Sequence, residues 1–224
     1  THDNSSTNQA LNIGLEKKID RNFSIYGNYS ESFRIPNIDE RILATTSGSF
    51  ALKDQESDGI EIGVIYSNEV ANLNINYFDI DTLNEIQYDQ SVNTNLDPIK
   101  REGINLDFEF SPDNKNKFVG SIGYVNAEFT GGSLSMGTGS YEFLGTRYYN
   151  NNETYGYLTN TAINFLGSDG TANQSIDLAG RKVPLVSPLT YNLNYIRQID
   201  NNTNLNLGIN YTDEKYVSND QENI

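Results

Sequence analysis

The sequence contains no cysteine, no tryptophan, one histidine and five prolines in 224 residues. Without cysteine there are no disulfides, no thiolate metal sites and no thiol nucleophile. The single histidine, His2, lies at the N-terminus, which removes Ser-His-Asp chemistry and imidazole zinc sites from the folded part of the chain. Cations are also scarce, with 15 Lys and Arg against 30 Asp and Glu and a net charge of −15. Such a surface does not suit nucleic-acid phosphates, which need clustered lysine and arginine. Residues 1–12 hold no apolar stretch of the signal-peptide kind. No apolar run approaches the roughly 18 residues of a membrane-spanning helix. A helical membrane protein is therefore excluded, but a membrane β-barrel is not, because its strands alternate.

What is present is aromatic and amidic: 15 Tyr, 10 Phe and 32 Asn. The hydrophobic fraction is 36%, below the roughly 45–50% of an ordinary domain. The 11% aromatic content nevertheless argues against disorder. The apolar residues recur with period two, as strands half in an apolar medium require. Eight stretches show it: Leu11, Ile13, Leu15; Phe23, Ile25, Gly27, Tyr29; Ile60, Ile62, Val64, Tyr66; Leu73, Ile75, Tyr77; Ile104, Leu106, Phe108, Phe110; Phe118, Gly120, Ile122, Tyr124; Leu189, Tyr191, Leu193, Tyr195; and Leu205, Leu207, Ile209, Tyr211. Residues between them are mostly Asn, Ser, Gly, Asp and Glu. Helical periodicity is absent throughout. The pattern predicts an all-β antiparallel meander of about eight long strands.

Short polar turns at Asp20–Asn22, Ser67–Glu69, Ser111–Asn116 and Asp200–Asn202 predict tight hairpins. They alternate with long connections over 31–57, 82–100 and 130–181. Short turns on one edge and long loops on the other characterise outer-membrane barrels. Tyrosine closes the apolar stripe in six strands, at Tyr29, Tyr66, Tyr77, Tyr124, Tyr195 and Tyr211, as an aromatic girdle at two membrane interfaces would. A soluble β-rich binding protein, with the stripe as its core and tyrosine merely as a good strand residue, is the competing reading.

Several segments carry a family resemblance. Tyr29-Ser30-Glu31-Ser32-Phe33-Arg34-Ile35-Pro36, followed by Ile38-Asp39-Glu40, resembles a segment of TonB-dependent outer-membrane receptors. Leu52-Lys53, Gln55-Glu56-Ser57 and Glu61-Ile62-Gly63 continue the likeness. So do Asn76-Tyr77-Phe78 with Asn84-Glu85-Ile86, then Lys100 to Leu106, and Arg181 to Pro188. The order of these pieces spans nearly the whole chain. The resemblance implies a piece of a 22-stranded barrel, roughly strands 12 to 19, with the plug domain, the early strands and the final strands lying outside residues 1–224. In isolation such a piece is expected to be an open, curved sheet. The resemblance further implies an outer-membrane receptor of a Gram-negative bacterium, energised by the TonB complex through the plug. It would take up a scarce siderophore, cobalamin or oligosaccharide. Its partners would be outer-membrane lipid, its own plug, the TonB complex and the ligand, with no enzymatic activity, cofactor or metal and no nucleic acid. A complete eight-stranded barrel with a structural or adhesive role would instead pair its first and last strands.

The candidate functional residues follow from these readings. Arg147, Tyr148, Tyr149, Tyr155 and Tyr157 in the longest connection supply rigid contact area with polar tips for a ligand, or else pack that loop onto its neighbours. Phe33, Arg34, Pro36 and Glu40 form the family-like motif. There, Arg34 and Glu40 either make a buried ion pair that braces the loop or remain solvated. Asp79, Asp81, Asn84 and Glu85 offer hard oxygen ligands without the spacing of a calcium loop, and a solvated loop is the preferred reading. Glu16, Glu61, Asp107 and Glu109 share the polar face, where they can pair with arginines of a plug.

Overall fold

The computed structural model describes residues 7–42, 52–89, 92–135 and 175–216. The eight stretches of period two form one antiparallel sheet whose spatial order is the chain order. Its strands are β1 (Leu11–Lys18), β2 (Phe23–Arg34), β3 (Gln55–Ser67), β4 (Ala71–Leu83), β7 (Ile99–Phe110), β8 (Asn116–Phe129), β11 (Leu189–Gln198) and β12 (Asn204–Thr212). Two small hairpins stand on the connections: β5 (Ile86–Asp89) with β6 (Val92–Asn95), and β9 (Ser133–Ser135) with β10 (Ser175–Asp177). Several strands reach further than the apolar stripe, because polar residues such as Gln55 to Gly59 and Lys100 to Glu102 continue the ladder. The connections are correspondingly shorter than expected. A five-residue helix, α1 (Ile38–Ile42), also departs from the expectation of no helix. It is set by its caps, being too short to show a periodicity.

Each short turn is built on one Asx side chain. The Asp20 carboxylate accepts from the backbone N–H of Asn22 and Phe23 at 2.7 and 2.9 Å. Asn68 does the same for Val70 and Ala71 at 2.9 and 2.7 Å. Asp113 accepts from Lys115 and Asn116 at 2.7 and 2.8 Å, and Asp200 accepts from Asn202 at 2.8 Å. Such side chains supply the acceptor that a tight turn otherwise lacks. The side-chain amide of Asn116 and the turn N–H groups hold the Asp113 carboxyl below its ordinary range. The Asn202 N–H and the Thr203 hydroxyl do so for Asp200.

The pairing register puts all eight apolar stripes on one face. One row across the sheet reads Ile25, Val64, Ile75, Leu106, Ile122, Tyr191 and Tyr211. The next reads Gly27, Ile62, Tyr77, Ile104, Tyr124 and Leu189. No second sheet covers this face among the described residues: Ile62, Ile104, Leu207 and Ile209 are all at least 50% exposed. The opposite face carries Asn74, Asn76, Asn105, Ser121, Asn192 and Asn210. At three register pairs an aromatic ring lies over a glycine: Tyr26 on Gly63 and Phe78 on Gly103 on the polar face, and Phe108 on Gly120 on the apolar face. A β-carbon at Gly63 would stand 2.4 Å from the Tyr26 ring, so only glycine admits the ring there.

Among the described residues β1 bonds only to β2 and β12 only to β11, so the sheet is open. This departs from a closed eight-stranded barrel, and the bare apolar face departs from a soluble sandwich with a shared core. The fully buried side chains gather at the loop end instead. There Leu96, Ile99, Ala127, Phe129, Leu178 and Val183 form a compact cluster.

Candidate functional site

The loop end of the sheet is where the connecting segments, the charged residues and the buried cluster meet. The family-like motif lies there: Phe33 and Arg34 end β2, and Pro36 and Glu40 follow in the connection. Asn37 caps α1: its side chain accepts from the Glu40 N–H at 2.8 Å, and the Glu40 carboxylate accepts from the Asn37 N–H at 2.8 Å. This reciprocal capping box satisfies two orphan donors of the first turn. Arg34 pairs with Glu40, while Pro36 is buried beneath. The pair forms, yet it is not the buried brace: the Arg34 side chain is 46% exposed. Burial alone would push the Glu40 carboxyl up. The Asn37 N–H and the Arg34 guanidinium outweigh it and hold the carboxyl below its ordinary range.

The more buried arginine is Arg41. It donates to the Pro36 carbonyl at 3.2 Å and the Leu52 carbonyl at 3.4 Å, and pairs with Asp54 at 3.6 Å. Its side chain is 16% exposed and that of Asp54 11%. The sequence carries no periodic signal for this contact. Pro36, Arg41 and Leu52 join only when the connection folds back on itself.

Asp79, Asp81, Asn84 and Glu85 do not form one ligand set. Asp79 pairs with Lys100 at 2.9 Å, and Glu85 pairs with Arg101 at 2.7 Å. Asn84 occupies the left-handed region at φ 56°, where its carbonyl accepts from Asn95 at 2.7 Å. Glu16, Glu61, Asp107 and Glu109 do share the polar face. Glu61 accepts from the Tyr26 hydroxyl at 2.8 Å and Glu109 pairs with Lys117 at 2.7 Å, whereas Glu16 and Asp107 are exposed. Arg147, Tyr148, Tyr149, Tyr155 and Tyr157 lie outside the described residues.

The six stripe-closing tyrosines lie toward the two ends of the apolar band. Tyr29, Tyr77, Tyr124 and Tyr211 stand toward the loop end, Tyr66 and Tyr195 toward the turn end. Five of them anchor the hydroxyl on a polar group. Tyr29 donates to Glu31 at 2.8 Å, Tyr77 to Asp79 at 3.4 Å and Tyr211 to Asp213 at 3.0 Å. Tyr66 accepts from Asn68 at 2.8 Å, and Tyr195 donates to Asn116 at 2.6 Å. An apolar ring with a polar tip suits a boundary that is apolar on one side and wet on the other. Phe110, Phe118 and Tyr195 also stack across β7, β8 and β11, with centroid separations of 6.1 and 4.8 Å.

Above the loop-end tyrosines the same face turns acidic. Glu31, Asp58, Asp81, Lys100 and Glu128 form one register row, extended to Lys182 by an isolated bridge. Lys182 bonds Glu128 at 2.6 Å and also reaches Asn126. A cavity of about 530 Å³ lies between the upper part of β8, the segment around Val183 to Pro188 and residues Asp213 to Tyr216. The loop end is thus a braced collar of charged and amide side chains above an apolar wall.

No curated protein matches the chain in sequence. The family model described as TonB dependent receptor-like, beta-barrel, matches residues 1–224. Among solved structures, the siderophore receptor PiuA from Acinetobacter baumannii is similar over 94% of this chain and 26% of its own, with a TM-score of 0.62 at 16% identity. The siderophore receptor PirA from Pseudomonas aeruginosa is similar over 93% of this chain and 31% of its own (TM-score 0.60, 12% identity). The ferric yersiniabactin uptake receptor FyuA from Yersinia pestis is similar over 94% and 27% (TM-score 0.60, 13% identity). At such identities the likeness is one of fold, and the chain spans between a quarter and a third of the length of these receptors. An open meander with one continuous apolar face, hairpin turns on one edge and elaborated connections on the other is what a section of such a barrel wall looks like, and by its family match the chain belongs to the TonB-dependent receptor-like β-barrel family.

Proposed function

We propose that the chain is a wall section of an outer-membrane receptor that imports a scarce solute with energy from the TonB complex. The observation that carries this reading is the register-aligned apolar band, bare on its outer side and bounded by anchored tyrosines. In lipid every backbone donor and acceptor must be paired internally, which a barrel achieves once its sheet closes. Closure here would use further strands on both sides of the sheet, and the eight strands would be roughly strands 12 to 19 of 22. The apolar face would meet lipid, with the six tyrosines as its girdle. The asparagine-rich face would line the lumen and meet the plug. The braced connections would face the exterior, where Arg147, Tyr148, Tyr149, Tyr155 and Tyr157 would contact the ligand. The family is one of receptors rather than enzymes, and the wall's role is to enclose and position. A siderophore-class ligand is favoured because the similar structures PiuA and PirA are siderophore receptors. Cobalamin and oligosaccharides are the other solute classes.

The test is uptake by the whole receptor. Cells expressing it should accumulate ferric siderophore from a panel, and a TonB-deficient strain should not. Equal accumulation in both strains would remove the energised-import reading.

A further inference from the structure

The β5–β6 hairpin touches both of its neighbours, by different means. On one side it is bound to the β2–β3 connection by two asparagines. Asn93, 6% exposed, donates its side-chain amide to the carbonyl of Glu40 in α1 at 3.1 Å. Asn95 treats Lys53 as a strand partner would: it accepts the Lys53 N–H at 2.8 Å and donates to the Lys53 carbonyl at 3.1 Å. The same amide also donates to the Asn84 carbonyl at 2.7 Å, closing the foot of the hairpin. A side-chain amide carries the donor and acceptor of a peptide group, so Asn95 extends pairing where no strand runs.

The other side is apolar. Leu96 follows β6 directly, and its N–H donates to the Glu85 carbonyl at 2.7 Å. Its side chain packs with Ile99, Ala127, Phe129, Leu178 and Val183. Leu178 and Val183 belong to the connection between β8 and β11, itself bonded to β8 through Val183 to Ala127 at 3.0 Å and Phe129 to Arg181 at 2.9 Å. Below, Arg101 of β7 grips Glu85 with two nitrogens, at 2.7 and 2.9 Å. The hairpin is therefore footed on the sheet, with a polar arm to one connection and an apolar arm to the other.

We infer that this hairpin is a coupling element, which makes the described parts of the three loop-end connections (residues 35–42 and 52–54, 84–89 and 92–98, and 175–188) one conformational unit in place of three independently moving segments. A rearrangement of the β2–β3 connection would break the bonds of Glu40 to Asn93 and of Lys53 to Asn95, and so loosen the hairpin. Loosening the hairpin withdraws Leu96 from the cluster holding Leu178 and Val183. Ordering any one connection then lowers the cost of ordering the others, because part of their lost freedom is already spent.

The test is amide hydrogen exchange on the full-length receptor, comparing wild type with Asn95→Ala, Asn93→Ala and Leu96→Ala. Asn95→Ala removes three hydrogen bonds, and exchange at Glu40 and Arg41 in α1 should accelerate by about tenfold or more, although neither amide bonds Asn95. Asn93→Ala, which removes one bond, should do the same to a smaller degree. Leu96→Ala should accelerate Val183 and Leu178, and to a lesser degree α1. The amides of β3 and β8 below the loop end should not change in any variant. If Asn95→Ala accelerates only Lys53 and leaves α1 at the wild-type rate, or if Leu96→Ala leaves α1 untouched, the connections move separately and the inference is overturned.

Discussion

At the scale of single residues, the loop end is held by side chains that imitate backbone. Asn37 and Glu40 cap a helix too short to stand alone, Asn95 pairs with Lys53 as a strand would, and Asx side chains fold the four short turns of the main sheet. The turns are legible in the sequence because donor and acceptor lie two or three residues apart. The Arg41–Asp54 pair and the Asn93 bond to Glu40 are not. Their partners are 13 and 53 residues distant, in segments without a period. Glu40 is where pH should act. Its folded carboxyl titrates below the ordinary range, so its contribution is fully present above the unfolded value of about 4.3 and is lost as pH falls through the lower folded value. The size should be that of a helix cap, about 1 kcal/mol. Protection of the Glu40 and Arg41 amides, corrected for intrinsic rate, should hold from pH 7 to about 5 and fall below about 4. Glu40→Gln keeps an acceptor for the Asn37 N–H and should show no such step.

At the scale of elements, the alternation of apolar and polar residues is sufficient to assign eight strands and their two faces. Leu106 and Ile122 are register partners on one face, and Asn105 and Gly123 on the other. The strand ends carry less signal. Lys100-Arg101-Glu102 continues β7 with no apolar residue, because Lys100 is held by Asp79 and Arg101 by Glu85. Alternation also gives a direct check of the faces. Nitroxides on single cysteines at Leu106 and Ile122 of the full receptor in bilayers should collide with dissolved oxygen. Those at Asn105 and Ser121, one residue away, should prefer a water-soluble nickel chelate. The same preference at all four positions would contradict the assignment of faces.

At the scale of the whole molecule, the two outer strands decide behaviour. Every residue of β1 and of β12 is exposed, and among the described residues no strand pairs with the free side of either. Such an edge invites another edge. Residues 1–224 produced alone in detergent should therefore associate, and light scattering should report multiples of 25.1 kDa. A stable monomer would mean that the edges find another partner within the chain. That the section is open was legible from the family resemblance, since the repeating strand pattern is the same in a closed barrel of eight and in a larger one.

The rings laid over glycines bear on the texture of the wall. Tyr26 over Gly63 and Phe78 over Gly103 turn what would be two pegs into two tiles. Beside them run short amides and serines, and of the longer side chains there Glu61 is tied down to Tyr26 and Glu109 to Lys117, so around the rings this face has low relief. A body lodged against it would rest on broad, shallow contacts with few interlocking projections, and a surface of that kind lets its neighbour slide without first being lifted clear.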